Sequence, residues 1–131
     1  MGTTISEQVL DVAFTVSDNG TATPNIAMQF KDIGGNDIDH PVAVVCYLST
    51  DAYGQTLAAK GTDTTEIAIG TDGTILAELV TDIMAVCVSE TDGDLDLEIT
   101  VEDGKSVYFN VVMPNGEVKT CATALYYSSS S

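Results

Sequence analysis

Tryptophan is absent from this 131-residue chain, cationic residues number only four, and there is one histidine, His40. Each shortage excludes something. With 20 Asp and Glu against those four Lys and Arg, the formal charge is -16, opposite to the basic footprint that contacts with nucleic-acid phosphates demand. Direct nucleic-acid binding is therefore excluded as an expectation. No apolar run approaches the roughly 20 residues of a membrane-spanning helix, so no membrane partner is expected. The opening residues, Met1 to Glu7, lack the basic region and apolar stretch of a secretory signal, although a processed precursor would look the same. Synthesis in the cytosol is the expectation that follows.

The three cysteines, Cys46, Cys87 and Cys121, are odd in number and widely spaced, with no CxxC element. Each lies in an apolar strand-like context, as in Val44-Val45-Cys46-Tyr47-Leu48, which favours burial as small hydrophobes over metal ligation or a reactive thiol. The sequence leaves open a pairing of two of them.

The chain is nonetheless built to fold. Its hydrophobic fraction is 44%, which argues against disorder, and its length suits one domain with a core that needs no metal or disulfide. Five Asx-Gly dipeptides, Asn19-Gly20, Asp72-Gly73, Asp92-Gly93, Asp103-Gly104 and Asn115-Gly116, punctuate it. Such pairs favour tight turns because Gly, and less readily Asn or Asp, reaches positive φ at low steric cost.

Between the turns, apolar and polar residues alternate with the period of two that marks a half-buried strand. Leu10, Val12, Phe14 and Val16 form the first such set, and Ile26, Met28 and Phe30 the second. Glu66 to Ile69, Thr74 to Ala77, Ile83 to Ser89 and Val107 to Met113 read as further strands, and Val118 to Leu125 as the last. Leu76 to Val80 could alternatively make a helical turn. The clearest alternation is Asp94-Leu95-Asp96-Leu97-Glu98-Ile99-Thr100-Val101, one face of which is wholly acidic or polar.

Val42 to Leu48 differs, because both of its alternating sets are largely apolar. Such a strand is either covered on its second face by a loop or presents that face to another subunit. The polar connection Ser49 to Thr65 is longer than an ordinary hairpin loop, which suits a functional excursion or an arm packing elsewhere. Short strands at roughly ten-residue spacing point to an immunoglobulin-like antiparallel β-sandwich, or alternatively a jelly roll. The expected layout is an arm at 1–7, one sandwich domain at 8–127 and a polar tail at 128–131.

No constellation reads as catalytic. Asp92, Asp94, Asp96 and Glu98 invite comparison with a calcium loop, but Leu97 stands where an EF-hand needs Gly and Asp103 where it needs Glu. Side chains on one strand face spread apart into water instead of converging. Glu98 with Glu102, or Asp82 with Glu90, could pair as acid and base for glycoside hydrolysis, yet with so many acids such pairs arise by chance. His40 lacks a nucleophile context, and Gly34-Gly35 and Gly70 to Gly73 lack the helix and Lys of a phosphate loop. No catalytic, cofactor-binding or metal residue is assigned, and no cofactor is expected. The tyrosines are more suggestive: Tyr47 and Tyr108 lie on the strand face opposite the core set, and exposed tyrosines favour interfaces. Val45, Tyr47, Tyr53, Tyr108, Tyr126 and Tyr127 are the candidate interface residues, with a cover for the core edge as the competing role.

Four pieces of the chain, taken in order, carry a family resemblance. They are Met28-Gln29-Phe30-Lys31-Asp32-Ile33-Gly34-Gly35-Asn36-Asp37, Cys46-Tyr47-Leu48-Ser49, Thr91 to Thr100, and Val107-Tyr108-Phe109-Asn110-Val111 leading into Asn115-Gly116. Together they resemble a small β-sandwich protein found among structural genes of tailed bacteriophages, over most of residues 25–125. The resemblance implies a non-enzymatic virion protein that decorates or cements a capsid from its outer surface, bound to the major capsid protein, often as a homotrimer. The runner-up expectation is a recognition module of a phage fibre or surface adhesin, binding glycan or host protein through the Ser49 to Thr65 loop and the terminal tyrosines.

Overall fold

The computed structural model describes residues 11–59 and 64–128. The expected arm Met1 to Glu7, residue Leu10 of the first strand, positions 60–63 of the long connection and the last three residues of the tail lie outside the described residues. Among the described residues ten strands are formed: β1 Asp11–Ser17, β2 Asn25–Lys31, β3 Ala43–Ser49, β4 Glu66–Ile69, β5 Thr74–Val80, β6 Met84–Val88, β7 Asp94–Thr100, β8 Ser106–Val112, β9 Val118–Thr120 and β10 Leu125–Tyr126. No helix occurs among the described residues.

All strand pairings are antiparallel, and they build two sheets. The first has the order β1-β2-β7-β4. The second has the order β10-β8-β3-β6-β5, with β9 also paired to β8. The sheets stack as a β-sandwich whose inner faces supply the core. The first sheet and the β8-β3 pair follow the strand order of an immunoglobulin-like domain. The hairpin β5-β6 widens the second sheet on the β3 side.

The alternation seen in the sequence becomes inside and outside. Across the first sheet, Phe14 opposes Met28 and Met28 opposes Leu95, while Val16, Ile26, Leu97 and Ile69 form the next inward row. Phe30, Ile26, Leu95, Leu97, Ile99, Phe109, Leu48 and Leu125 are completely buried. Phe14 and Phe109 meet edge to face across the two sheets, with centroids 6.1 Å apart and planes at 83°, an arrangement that aromatic quadrupoles favour. The three cysteines are free and buried within this core.

Each of the five Asx-Gly glycines has positive φ, as the turn chemistry requires. The first turn does more than reverse the chain. The Asn19 side chain donates to the Ala124 carbonyl and accepts from the Tyr126 N–H, and Gly20 N–H donates to the Tyr126 carbonyl. This ties the end of the second sheet to a turn of the first.

Two expectations need correction. The stretch Leu76 to Val80 is strand, not a helical turn, and carries register shifts at Leu76 and Leu79. Its hairpin turns at Asp82, which takes φ 65° and whose N–H donates to Glu78 Oε1 at 3.0 Å, so an Asp does there what Gly does elsewhere. The last strand is also not continuous. Pairing to β8 persists as far as Cys121, whose N–H donates to the Phe109 carbonyl, and then the chain bends over residues 122–124 before β10 pairs again. Asn19 holds the far end of that bend, through the Ala124 carbonyl and the Tyr126 N–H.

Candidate functional site

The outer faces of the two sheets have opposite character. On the first sheet, strand register places Asp11, Lys31, Asp94, Asp96, Glu98 and Glu66 on the outward face. On the second, β3 turns out Ala43, Val45, Tyr47 and Ser49, and β8 turns out Ser106, Tyr108, Asn110 and Val112. The outward residues of β6 are Met84, Val86 and Val88, those of β5 are Thr74, Ala77 and Val80, and those of β9 are Val118 and Thr120. None of these carries a charge, in a chain with 20 acids.

One row crosses the whole second sheet. Val118 pairs with Val112, Val112 with Val45, Val45 with Val86 and Val86 with Ala77. Val45, Val86 and Val112 are half-buried by their neighbours, while Val118 and Ala77 at the two ends are exposed. At the β5 edge the row runs into Leu76, 62% exposed, and Leu79, 54% exposed. Exposed apolar residues occur singly on any protein, but a contiguous uncharged set marks an interaction surface.

The far end of this face is closed by the chain itself. Residues 50–56 fold back over β3, Thr50 N–H donating to the Thr56 carbonyl and Ala58 N–H to the Leu48 carbonyl. The Asp51 carboxylate accepts N–H bonds from Thr56 at 2.8 Å and from Gln55 and Tyr53. Those donors, Thr56 foremost, hold the Asp51 carboxyl below its ordinary range. Under the loop, Tyr47 is 7% exposed and donates its hydroxyl to the Gly54 carbonyl at 2.7 Å. Burial, with the Asp51 charge second, pushes the Tyr47 phenol up.

Asn110 is fully buried beside it. Its amide nitrogen reaches Ser49 Oγ at 2.9 Å, the Tyr47 carbonyl at 3.2 Å and the Tyr108 carbonyl at 3.3 Å, and its oxygen accepts from Thr120 Oγ1 at 2.6 Å. Gly54 lies directly above: it has φ 72°, and a Cβ there would stand 2.6 Å from Asn110 Oδ1 and 2.8 Å from the Tyr47 hydroxyl. Only glycine allows the loop to lie this close.

The expected interface residues are thus dispersed. Val45 sits at the centre of the apolar row. Tyr47 is covered by the loop, so of the two readings of this strand the loop covers one end and leaves the other end open. Tyr108 is half-buried on the same outer face. Tyr53 stands at the loop tip, 78% exposed. Tyr126 packs its ring over Gly20, and Tyr127 packs against the core while its carbonyl accepts from Gly104 N–H. The terminal tyrosines close one end of the sandwich.

The acidic face is a network of short contacts. Asp96 accepts from Asn25 Nδ2 at 2.6 Å and from Thr71 Oγ1 at 3.1 Å. Burial, then the charges of Asp92 and Asp72, raises the Asp94 carboxyl above its ordinary range. Among the described residues no group of three or more His, Cys, Asp or Glu is placed to hold a metal ion. Asp82 and Glu90 lie beyond opposite ends of β6, whose five residues span about 16 Å, too far for a glycosidase pair. Glu90 instead accepts the Gly73 N–H at 2.8 Å. His40 places Nδ1 3.0 Å from the Pro41 carbonyl.

Comparison of the chain with protein-family models, curated proteins and solved structures returns no match. The reading of the site therefore rests on its own geometry. Sequence reasoning missed the outward partners Val86, Val112 and Val118, because strand neighbours cannot be known before the sheet order is. It also missed Asp51 as the anchor of the loop and Asn110 as the buried polar residue beneath it. The run Asp51-Ala52-Tyr53-Gly54 did carry a signal, an Asx residue followed three positions later by Gly, as turns prefer.

Proposed function

We propose that the protein is a non-enzymatic structural component of a virion, decorating a phage capsid by binding the shell of major capsid protein. The observation that supports this reading is the polarity of the sandwich: an uncharged apolar face on the second sheet suits assembly, and an acidic face on the first suits solvent. A surface-mounted component needs both, since its apolar area is sequestered in the assembled particle while its charge keeps free copies soluble. The acidic face also repels nucleic acid on the same grounds as the net charge.

Cosedimentation with capsid shells lacking other decoration tests the proposal. Saturable binding at a fixed copy number per shell is expected, reduced by Val45→Lys, which places a charge at the centre of the apolar row. Failure of the wild-type chain to sediment with shells overturns it.

A second reading, a glycan- or host-recognition module, draws on Tyr53, exposed at the tip of a loop that the Asp51 carboxylate pins. Binding on a glycan array that disappears in Tyr53→Ala would favour this reading instead.

A further inference from the structure

We infer that the free edge of β1 is a strand-addition site for the β1 of a second copy of this chain, the two strands running antiparallel about a two-fold axis at Phe14. This edge belongs to the first sheet and lies apart from the apolar face assigned above to the capsid shell. Strand register shows which groups it offers. Phe30 donates its N–H to the Gly93 carbonyl on the β7 side, so Val12, which opposes Phe30, turns its own N–H and C=O away from β2. Phe14 and Val16 follow in the same phase. The outward Val12 N–H has turned to the neighbouring carboxylate, Asp11 Oδ1, at 2.8 Å. Among the described residues, no backbone group partners the outward N–H or C=O of Phe14 and Val16.

The other outer strands are protected, and β1 is not. β5 carries two register shifts and Glu78, β4 has four residues and its Ile67 N–H is taken by the Asp82 carbonyl, and β9 and β10 have three and two residues. β1 instead pairs with β2 in unbroken register over seven residues. It contains no Pro, Lys or bulge, and its outer-face side chains after Asp11 are the small, uncharged Ala13, Thr15 and Ser17. A long regular edge of this kind is a template for another strand.

The strand's own sequence selects the occupant. Val12-Ala13-Phe14-Thr15-Val16 reads nearly alike in both directions, so antiparallel pairing centred on Phe14 sets Val12 against Val16, Ala13 against Thr15 and Phe14 against its own copy. The pairing is also in phase, because the residues brought opposite one another with outward backbone groups are Val12, Phe14 and Val16, and each such pair exchanges both N–H···O bonds. Phe14 and Val16 point toward the core yet stay half-buried at the open edge; the inward side chains of the second β1 would cover them. Two acids meet at each end of the paired strands, Asp11 opposite Ser17 and the Asp18 that follows it. Lys119 stands at that place, with Nζ 3.8 Å from Asp11.

Sedimentation equilibrium and amide exchange of the full chain, without shells and in about 0.15 M NaCl, test the edge. A dimer is expected, and exchange at the Phe14 and Val16 amides should slow as protein concentration rises, while the Ala13 and Thr15 amides, already bonded to β2, do not change. Ala13→Glu with Thr15→Glu, both at exposed positions, sets like charges directly opposite and should raise the dissociation constant about ten-fold or more, with the thermal midpoint within a few degrees of wild type. Ala13→Lys with Thr15→Glu sets unlike charges opposite in this register and should bring the dimer back to wild-type strength or better. A monomer at every concentration overturns the inference. So does protection of Phe14 and Val16 that is independent of concentration, the mark of a segment of the same chain on the edge. A dimer that the double Glu variant leaves intact, or that the Lys and Glu variant weakens as much, overturns it too.

Discussion

Asn110→Ala should weaken the joint between β3, β8 and β9 beneath the loop, and the cost can be worked from its contacts. The substitution removes a hydrogen bond of 2.9 Å to Ser49 Oγ and one of 2.6 Å from Thr120 Oγ1, together with weaker ones to the Tyr47 and Tyr108 carbonyls. Ser49 keeps its donation to the Asp51 carbonyl, and the half-buried Thr120 hydroxyl can turn to water, so those partners are not fully orphaned. At about 1 kcal/mol net per bond, plus the cavity left by a buried amide, the loss comes to about 2 to 4 kcal/mol. An unfolding entropy of about 2.1 cal/mol/K per residue gives about 0.28 kcal/mol/K for 131 residues, hence a fall in Tm of about 7 to 14 °C.

Thermal and urea unfolding followed by circular dichroism measure this loss. Acetylation of Tyr47, located by mass spectrometry, reports the loop directly: Tyr47 should stay protected in the variant, because the bonds from Tyr47 to Gly54 and from Ser49 to Asp51 do not involve Asn110. Thr120→Val, combined with Asn110→Ala in a double-mutant cycle, should show coupling of about 1 kcal/mol, because the two residues share one bond. A loss below about 1 kcal/mol would refute the assignment of Asn110 as the buried residue that joins β3, β8 and β9 beneath the loop.

Three further outcomes are expected. Gly54→Ala should destabilise by about 2 kcal/mol or more in urea unfolding, since φ 72° disfavours a side chain and its Cβ would press on Asn110; a neutral effect would refute the close approach of the loop to Asn110. Asp94→Asn should raise Tm at pH 7 and make no difference near pH 3. A carboxyl raised in the folded state lowers stability once pH rises above its folded value, and Asn mimics the protonated form. Asp51 behaves oppositely. Its depressed carboxyl contributes stability above the unfolded value of about 3.9 and loses it as pH falls through the folded one, so the Thr56 amide shift in NMR should titrate with a midpoint below about 3.9. A midpoint at or above that value would argue against the carboxylate clamp.

The cysteines illustrate what strand context can and cannot say. Burial was readable from Val44-Val45-Cys46-Tyr47-Leu48, because alternation is a local property. Pairing was not. In the folded chain Cys46 opposes Ala85 and Cys87 opposes Val44, which makes the two thiols diagonal neighbours. The Cys87 thiol beside it and complete burial push the Cys46 thiol well above its ordinary range, so it stays protonated and inert.

Local chemistry set the turns and the sidedness of each strand: the Asx-Gly pairs, the alternation from Asp94 to Val101, and the two-sided apolar run Val42 to Leu48 were all legible in one dimension. Sheet order was not, because β3 lies between β6 and β8, which follow it by dozens of residues, and no local signal encodes a pairing at that range. Only tertiary structure lined up Val118, Val112, Val45, Val86 and Ala77 as one row. Only tertiary structure, too, laid residues 50–56 over Tyr47 while leaving Val45 open. Composition determined that the molecule is acidic. The arrangement of two sheets back to back determined where the acid is missing, and that bare face is what points to assembly.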